Sequence, residues 1–335
     1  MSVVSSTKKG VYPLRDRLES TRKGPCANRL RVRPSPGSIP TTPARKCSKD
    51  IAKKLIFNAD DFGASEPVNL AVLRAFKEGV LTSCSLMVSG QAFEHAVRIA
   101  GDLPGLAVGI HLVTVMGSSV LPPAWIPHLV DGNGNFPVEP GWTGLKYQFS
   151  RRARQELRRE LEAQFEKFAA TGLLLSHIDS HLHMHVHPVV FDMVLELGLQ
   201  FGARAMRVPA DDLSAFRRYE GRVSPGVWTS WAVFQLLTRR MRKILPEKRF
   251  VFCERVYGHL RSGRMEESYV LSLLDGLLPG THEIYLHPAL AHPGDSLSLD
   301  QGQAELEVFL SPRVKERIRQ LNIRTTTYRG LEDKE

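Results

Sequence analysis

The chain is short of cysteine. It has four in 335 residues (Cys26, Cys47, Cys84 and Cys253), none in CxxC spacing. That excludes a zinc-finger or thioredoxin-like motif and leaves a disulfide framework unsupported, so a reducing cytoplasm is expected. It also lacks an uninterrupted apolar run of the ~18 residues that a membrane span needs, and the N-terminus has no apolar signal-peptide core. No GxGxxG follows the first strand, and neither GxxxxGKS nor GxxxxGKT occurs, so dinucleotide and P-loop functions have no support. The formal charge of +10 is confined as well. Residues 1–53 hold thirteen Lys and Arg against three acids, whereas the remaining residues hold thirty-two of each sign. The electrically balanced body argues against a nucleic-acid partner.

Residues 1–53 mix Lys, Arg, Ser, Pro and Gly without apolar periodicity and are read as a disordered basic arm. Order is expected from Lys54. Apolar strands are expected at 55–59, 82–88, 106–111, 173–179, 205–208, 250–253, 283–287 and 324–328. Between them helices are expected from about 67 to 79 and at 91–101, 151–171, 188–202, 228–245, 266–278 and 311–321. The segment from Val115 to about Gly144 carries five prolines and five glycines and reads as a long functional loop, such as a substrate wall. Strands alternating with helices predict an α/β fold, a (β/α) barrel of seven or eight parallel strands, complete or distorted.

What the chain does have is histidine in one place. Five of its twelve histidines fall between His177 and His187, after an apolar strand and before Pro188. A solvated polar loop explains one histidine. Five, with Asp179 among them, point to metal binding or catalysis. Other chemically capable residues also follow apolar strands: Asp60 and Asp61 the first, His111 the third, Arg207 the fifth and His287 a later one. In a parallel barrel all strand C-termini open on one face, where active sites are built. Neighbouring aspartates in extended backbone diverge, so one can bind a metal while the other acts as a base. Two histidines and a carboxylate make an open three-ligand set for metal-assisted amide or ester hydrolysis. Blander roles exist: Asp61 or Ser65 as a helix cap, His111 as a core histidine, Arg207 as an ion-pair partner. His183, His185 and His187 are expected to be structural or to orient the ligands. His282, His287 and His292 compete for the acid role, with His287 preferred for its strand-end place before Pro288.

Asn58-Ala59-Asp60-Asp61-Phe62-Gly63, Val108-Gly109-Ile110-His111-Leu112, His177-Ile178-Asp179-Ser180-His181 and Ile284-Tyr285-Leu286-His287-Pro288 occur in this order. Together they resemble the YdjC-like carbohydrate deacetylase family over about residues 54–330. The resemblance implies a (β/α)-barrel hydrolase that uses one divalent metal ion to deacetylate N-acetylated amino sugars. It implies Asp61, His111 and His181 as ligands, Asp60 as the base and His287 as the acid; Arg207, at its own strand end, is read as the residue orienting Asp60. Magnesium, zinc, manganese and cobalt all suit such a set.

A narrower resemblance, in Val120–Pro127, Leu129–Asp131, Gly134–Pro137 and the tail around Ala304–Leu306 and Leu310–Pro312, is to a hopanoid-biosynthesis-associated branch. It implies an N-acetylglucosaminyl hopanoid substrate, with the enzyme at the inner face of the membrane. Trp228, Trp231, Phe234, Leu236 and Leu237 precede Arg239-Arg240-Met241-Arg242-Lys243. That composition suits a helix at a lipid interface as well as an ordinary amphipathic barrel helix. The lipid reading makes this helix and the 115–144 loop the wall of the substrate site. Soluble N-acetylglucosamine oligosaccharides are the alternative substrate. A phosphoesterase is the rival enzyme, a basic-armed membrane- or nucleic-acid-binding protein is the rival without catalysis, and a homodimer is left open.

Overall fold

The structure is a computed structural model that describes residues 52–291 and 297–332. The basic arm, apart from its last two residues, and His292 lie outside the described residues. The first half of the chain runs β1 (Lys53–Phe62), α1 (Glu66–Glu78), β2 (Ser83–Leu86), α2 (Phe93–Gly101) and β3 (Ala107–Leu112). Two successive helices, α3 (Pro140–Phe149) and α4 (Arg151–Ala169), lead to β4 (Leu175–Ser180) and α5 (Pro188–Gln200). Next come α6 (Leu213–Glu220), α7 (Pro225–Glu247), β5 (Arg255–Tyr257), α8 (Glu267–Gly276) and β6 (Gly280–Leu286). The chain closes with α9 (Leu297–Leu310), α10 (Pro312–Gln320), β7 (Arg324–Thr325) and α11 (Arg329–Glu332). Among the described residues no helix is long and apolar enough to cross a membrane.

All ladders are parallel, in the order β4-β3-β2-β1-β6-β5. The short β7 pairs with β1 at Lys54 and Leu55. β1 is the hub: its run from Leu55 to Asp60 is buried without interruption, as expected of a strand covered on both faces. The expectation of seven or eight parallel strands, complete or distorted, is met in part. Six strands form the ladder and β7 adds two residues. The strands expected at 205–208 and 250–253 are reduced to single bridges, Ile178 with Met206 and Ala205 with Val251. Pro209 has no N–H with which to prolong the first. The barrel is therefore incomplete between β4 and β5.

Four helices, α3, α6, α9 and α11, were not anticipated from sequence, and two of them show why. α3 lies where Pro140, Gly141 and Gly144 read as loop. Its N-terminus is capped by the Glu139 carboxylate, which accepts from Trp142 N–H at 2.9 Å. Pro140 sits in the first turn, where its missing N–H costs nothing. Gly144 lets α3 lie against the His187 ring, where an added Cβ would stand 3.4 Å from Cδ2. α9 similarly contains Gly302, which packs against Ala289 so closely that a Cβ would meet Ala289 Cβ at 2.6 Å.

Glycine at 109 on β3 is required by packing rather than by backbone angle. A Cβ there would stand 2.4 Å from Cε1 of the buried His177 ring. Gly109→Ala is expected to destabilise the fold by about 1–3 kcal/mol through overpacking, measured by urea denaturation. An unchanged midpoint would mean that the ring can move aside.

Candidate active site

The end of β1 separates its two aspartates. Pairing with β2 runs from Ala59 opposite Cys84 to Phe62 opposite Leu86, so the register shifts there. Asp61 takes a left-handed φ of 62°, a conformation Asp tolerates better than most residues. Ser65, not Asp61, caps α1. The two carboxylates consequently serve different partners.

Asp61 faces two histidines. Its Oδ1 lies 3.3 Å from Nε2 of His111 at the end of β3, and 3.0 Å from Nδ1 of His181 just past β4. One ligand atom from each of the three residues falls within 4.8 Å of the others. Ligand atoms around a four-coordinate ion are about 3.3 Å apart, given bonds near 2.0–2.1 Å, so the spacing suits a metal. The surroundings suit it too. His111 donates from Nδ1 to Asp179 Oδ1 at 2.7 Å, which turns Nε2 toward the centre. Burial opposes the His111 imidazolium, yet Asp179 and Asp61 outweigh it and raise the pKa to about 10. Burial likewise works against the charge on Asp61, but His111 and His181 hold its pKa well below the usual carboxylate range. The pocket is built for positive charge, which a divalent cation would provide in place of the proton.

Asp60 turns the other way, into a buried polar network. Arg207, fully buried, donates from Nη1 and Nη2 to the two Asp60 oxygens at 2.7 Å each. It also donates to Glu283 Oε1 at 3.0 and 2.6 Å, and its Nη1 lies 2.9 Å from Asp179 Oδ2. Its guanidinium stacks 4.5 Å from the Tyr285 ring centroid. Asn58 donates to Asp60 Oδ1 at 2.9 Å, and Ser85 donates to Asp179 Oδ2 at 2.7 Å. One guanidinium thus ties carboxylates from β1, β4 and β6 together, and Asp60 is fixed while still lining the cavity.

The remaining histidines divide by environment. His177 is buried against Ser85 and stacked on Tyr328, and burial pushes its pKa down to about 4. His185 donates to the Arg207 carbonyl and pairs with Ser180 Oγ, and burial pushes it to about 4 as well. His183 meets Tyr285 Oη at 2.8 Å. His187 borders α3. None of these four joins the metal group. The turn His181–Val186 is 3-10 with left-handed Leu182 and His183, so the extended backbone of β4 ends before the last four histidines.

His287 follows β6 and lines the same cavity. Burial lowers its pKa, but the Glu305 carboxylate together with Asp61 and Asp60 raises it to about 9. His282 is five residues earlier, about 16 Å away along an extended strand. It is buried, with Nε2 bonded to the Leu278 carbonyl at 2.8 Å, so it does not reach the cavity.

The cavity measures about 650 Å³. Asp60, His111, His181 and His287 form its floor, and α3 and α7 supply an apolar wall that includes Leu145, Phe149, Val233, Phe234 and Leu237. The expected wall is met in part, by α7 and by Pro140, Gly141 and Gly144. The loop before Pro140 is not part of it, and α7 takes part through Val233, Phe234 and Leu237 rather than through its tryptophans. Trp228 is exposed, and Trp231 donates to the Asp211 carbonyl at 3.1 Å beside a separate pocket.

Sequence reasoning missed Glu283, Tyr285, Ser85 and Glu305 as parts of the site. The first three shared one signal, polar residues two apart on four strands of the sheet: Asn58 and Asp60, Ser83 and Ser85, His177 and Asp179, Glu283 and Tyr285. Period two places each pair on one face of its strand, and the hydrogen bonds show that this is the face around Arg207. Arg207→Met should cost about 3–5 kcal/mol at neutral pH by stranding the buried carboxylates. Burial opposes the charge on Asp179, but Arg207 and His111 hold its pKa well down. Its contribution is therefore present above the ordinary carboxylate range and lost as pH falls through the depressed value. The deficit of the variant, read from urea unfolding at several pH values, is accordingly expected to shrink on acidification.

The sequence profile of the family described as YdjC-like protein matches residues 54–320. A carbohydrate deacetylase of Brevibacillus brevis is 48% identical over 126 residues, covering 38% of this chain and 48% of its own length. One from Geobacillus stearothermophilus is 47% identical over 124 residues, covering 37% and 47% respectively. The chain spans about half the length of the curated relatives it matches. Among solved structures, one from Enterococcus faecalis V583 is named as a candidate cellobiose-phosphate cleavage protein. It superposes with a TM-score of 0.65 at 25% identity, over 84% of this chain and 99% of that one.

Proposed function

The chain belongs to the YdjC-like protein family, and from that premise we propose that it is a metal-dependent carbohydrate deacetylase, hydrolysing the acetamide of an N-acetylated amino sugar. The observation that carries the reading is the division of labour at the end of β1. Asp61 faces His111 and His181 in metal-ligand spacing, and Asp60 is held by Arg207 at the edge of the same cavity. The curated relatives named as carbohydrate deacetylases support the substrate class.

Asp61, His111 and His181 are the residues that would hold the ion. When bound, a divalent cation there supplies Lewis-acid polarisation of the acetyl carbonyl and lowers the pKa of water. Asp60 accepts the proton of the water that attacks the acetyl carbon. The bidentate contact with Arg207 and the bond from Asn58 fix its direction, so little reorganisation is needed when the proton moves. His287 donates a proton to the sugar nitrogen as the C–N bond breaks, releasing acetate and a free amine. Asp179 has no direct role in this scheme. It keeps His111 in the tautomer that presents Nε2.

The apolar wall favours a lipid-linked sugar, and with the loop resemblance at Val120–Pro137 it makes an N-acetylglucosaminyl hopanoid the preferred substrate. The enzyme would then work against the membrane surface. The sugar would sit over the polar floor with the hydrocarbon along α3 and α7. Phe149→Ser and Leu237→Ser are each expected to lower kcat/KM on the lipid-linked substrate by about tenfold, from the loss of one apolar contact. Soluble N-acetylglucosamine oligomers should be little affected. Equal losses on both substrates would contradict the lipid wall.

Asp60→Asn is expected to lower kcat for acetate release by about 10²–10⁴-fold while bound metal, counted by inductively coupled plasma mass spectrometry, stays at the wild-type level. His181→Ala should lower the metal content itself. Full activity in Asp60→Asn would remove the base assignment, and phosphate release without acetate release would favour the phosphoesterase reading.

A further inference from the structure

α9 contributes one charged side chain to the site that neither the four strand-end motifs nor the metal group includes. Glu305 is 2% exposed. Its Oε2 accepts the backbone N–H of His287 at 2.6 Å and lies 3.7 Å from His287 Nδ1. Its Oε1 accepts the N–H of Met265 at 3.1 Å. Among the described residues no lysine or arginine is within ion-pair distance of it, and His287 is its one cationic partner. Gly302 lies one turn earlier on the same helix face. Its lack of a side chain lets α9 press against Ala289, two residues past His287. The glycine and the glutamate thus act as a unit, with close approach at one turn and carboxylate contact at the next.

A buried carboxylate whose other partners are backbone amides retains its need for a counter-charge. We infer that Glu305 is a positioning residue for His287: it holds the ring by Nδ1, keeps it as the imidazolium, and leaves Nε2–H toward the cavity. This rests on the deacetylase reading for its catalytic consequence but not for its structural content. In that reaction His287 starts each cycle loaded with the proton that the departing amine takes. It is recharged by the proton that Asp60 removes from water, so the cycle balances with water as the only co-reactant. The charged and titratable groups around His287 are Glu305 from α9, Asp60 and Asp61 from β1, and Tyr285 on its own strand, with His181 and His259 also lining the cavity. Of these, Glu305 is the carboxylate within ion-pair distance of the ring, 3.7 Å from Nδ1, and it takes no part in the proposed metal set.

The test compares full-length wild type with Glu305→Gln and Glu305→Asp. The His287 titration is followed by NMR on ¹⁵N-histidine-labelled protein and assigned with His287→Gln. Circular dichroism melting confirms that each variant folds. In Glu305→Gln the His287 midpoint should fall by at least about one pH unit, the order expected for loss of one adjacent buried carboxylate. Glu305→Asp should restore part of it. The alkaline limb of kcat for acetate release from N-acetylglucosamine oligomers should move in the same direction, with KM little changed. An unmoved midpoint in folded Glu305→Gln would overturn the inference, as would a moved midpoint with an unmoved alkaline limb. A wild-type protein that releases no acetate would defeat the deacetylase reading instead, and the NMR midpoint alone would then decide the pairing.

Discussion

A guanidinium taken out of water has to be matched by carboxylates, and Arg207 is matched by Asp60, Asp179 and Glu283 from three separate strands. The rest of the site depends on this arrangement. Asp60 is aligned because both its oxygens are taken by one planar fork, a geometry lysine cannot reproduce. Asp179 can accept from His111 because its other oxygen is already shared between Arg207 and Ser85. His185 is fixed by the Arg207 carbonyl, which also sets the course of the histidine-rich turn. The interior of this incomplete barrel is therefore polar at its upper end, and the strands are held in register there by charge as well as by ladders. Such a network is expensive to desolvate and adds little net stability. What it provides is a fixed direction for each carboxylate.

Much of this arrangement was legible in the sequence. The alternation of apolar runs with helical periods gave the parallel α/β class, and strand-end positions brought Asp60, Asp61, His111, His181, Arg207 and His287 toward one place. The density of histidines was a weaker guide than their position, since only His181 of that stretch belongs to the metal group. The two strands flanking the gap were over-read because short apolar segments with β-branched residues look alike whether they make a ladder or a single bridge. α3 was under-read because its Gly144 serves contact with His187 rather than turn formation. Glu305 could not be found by strand reasoning at all: it reaches the site from a helix, meeting both the backbone N–H and the ring of His287.

The cavity joins two chemistries, as ligand pockets commonly do. The floor carries the charged and titratable groups, while α3 and α7 present apolar side chains, several of them partly in solvent, such as Leu145, Phe149 and Val233. An amino-sugar substrate needs the first. Only a substrate with an apolar part, or an apolar surface nearby, has use for the second.

The central claim is that Asp61, His111 and His181 hold a metal ion required for amide hydrolysis. The direct measurement is acetate release from N-acetylglucosamine oligomers, followed by mass spectrometry. The protein is assayed first as purified, then stripped by chelator, then reloaded separately with zinc, magnesium, manganese or cobalt. The account predicts one equivalent of metal per chain in the active protein, loss of acetate release on stripping, and recovery with at least one of the four ions. Undiminished acetate release from the stripped protein would contradict it.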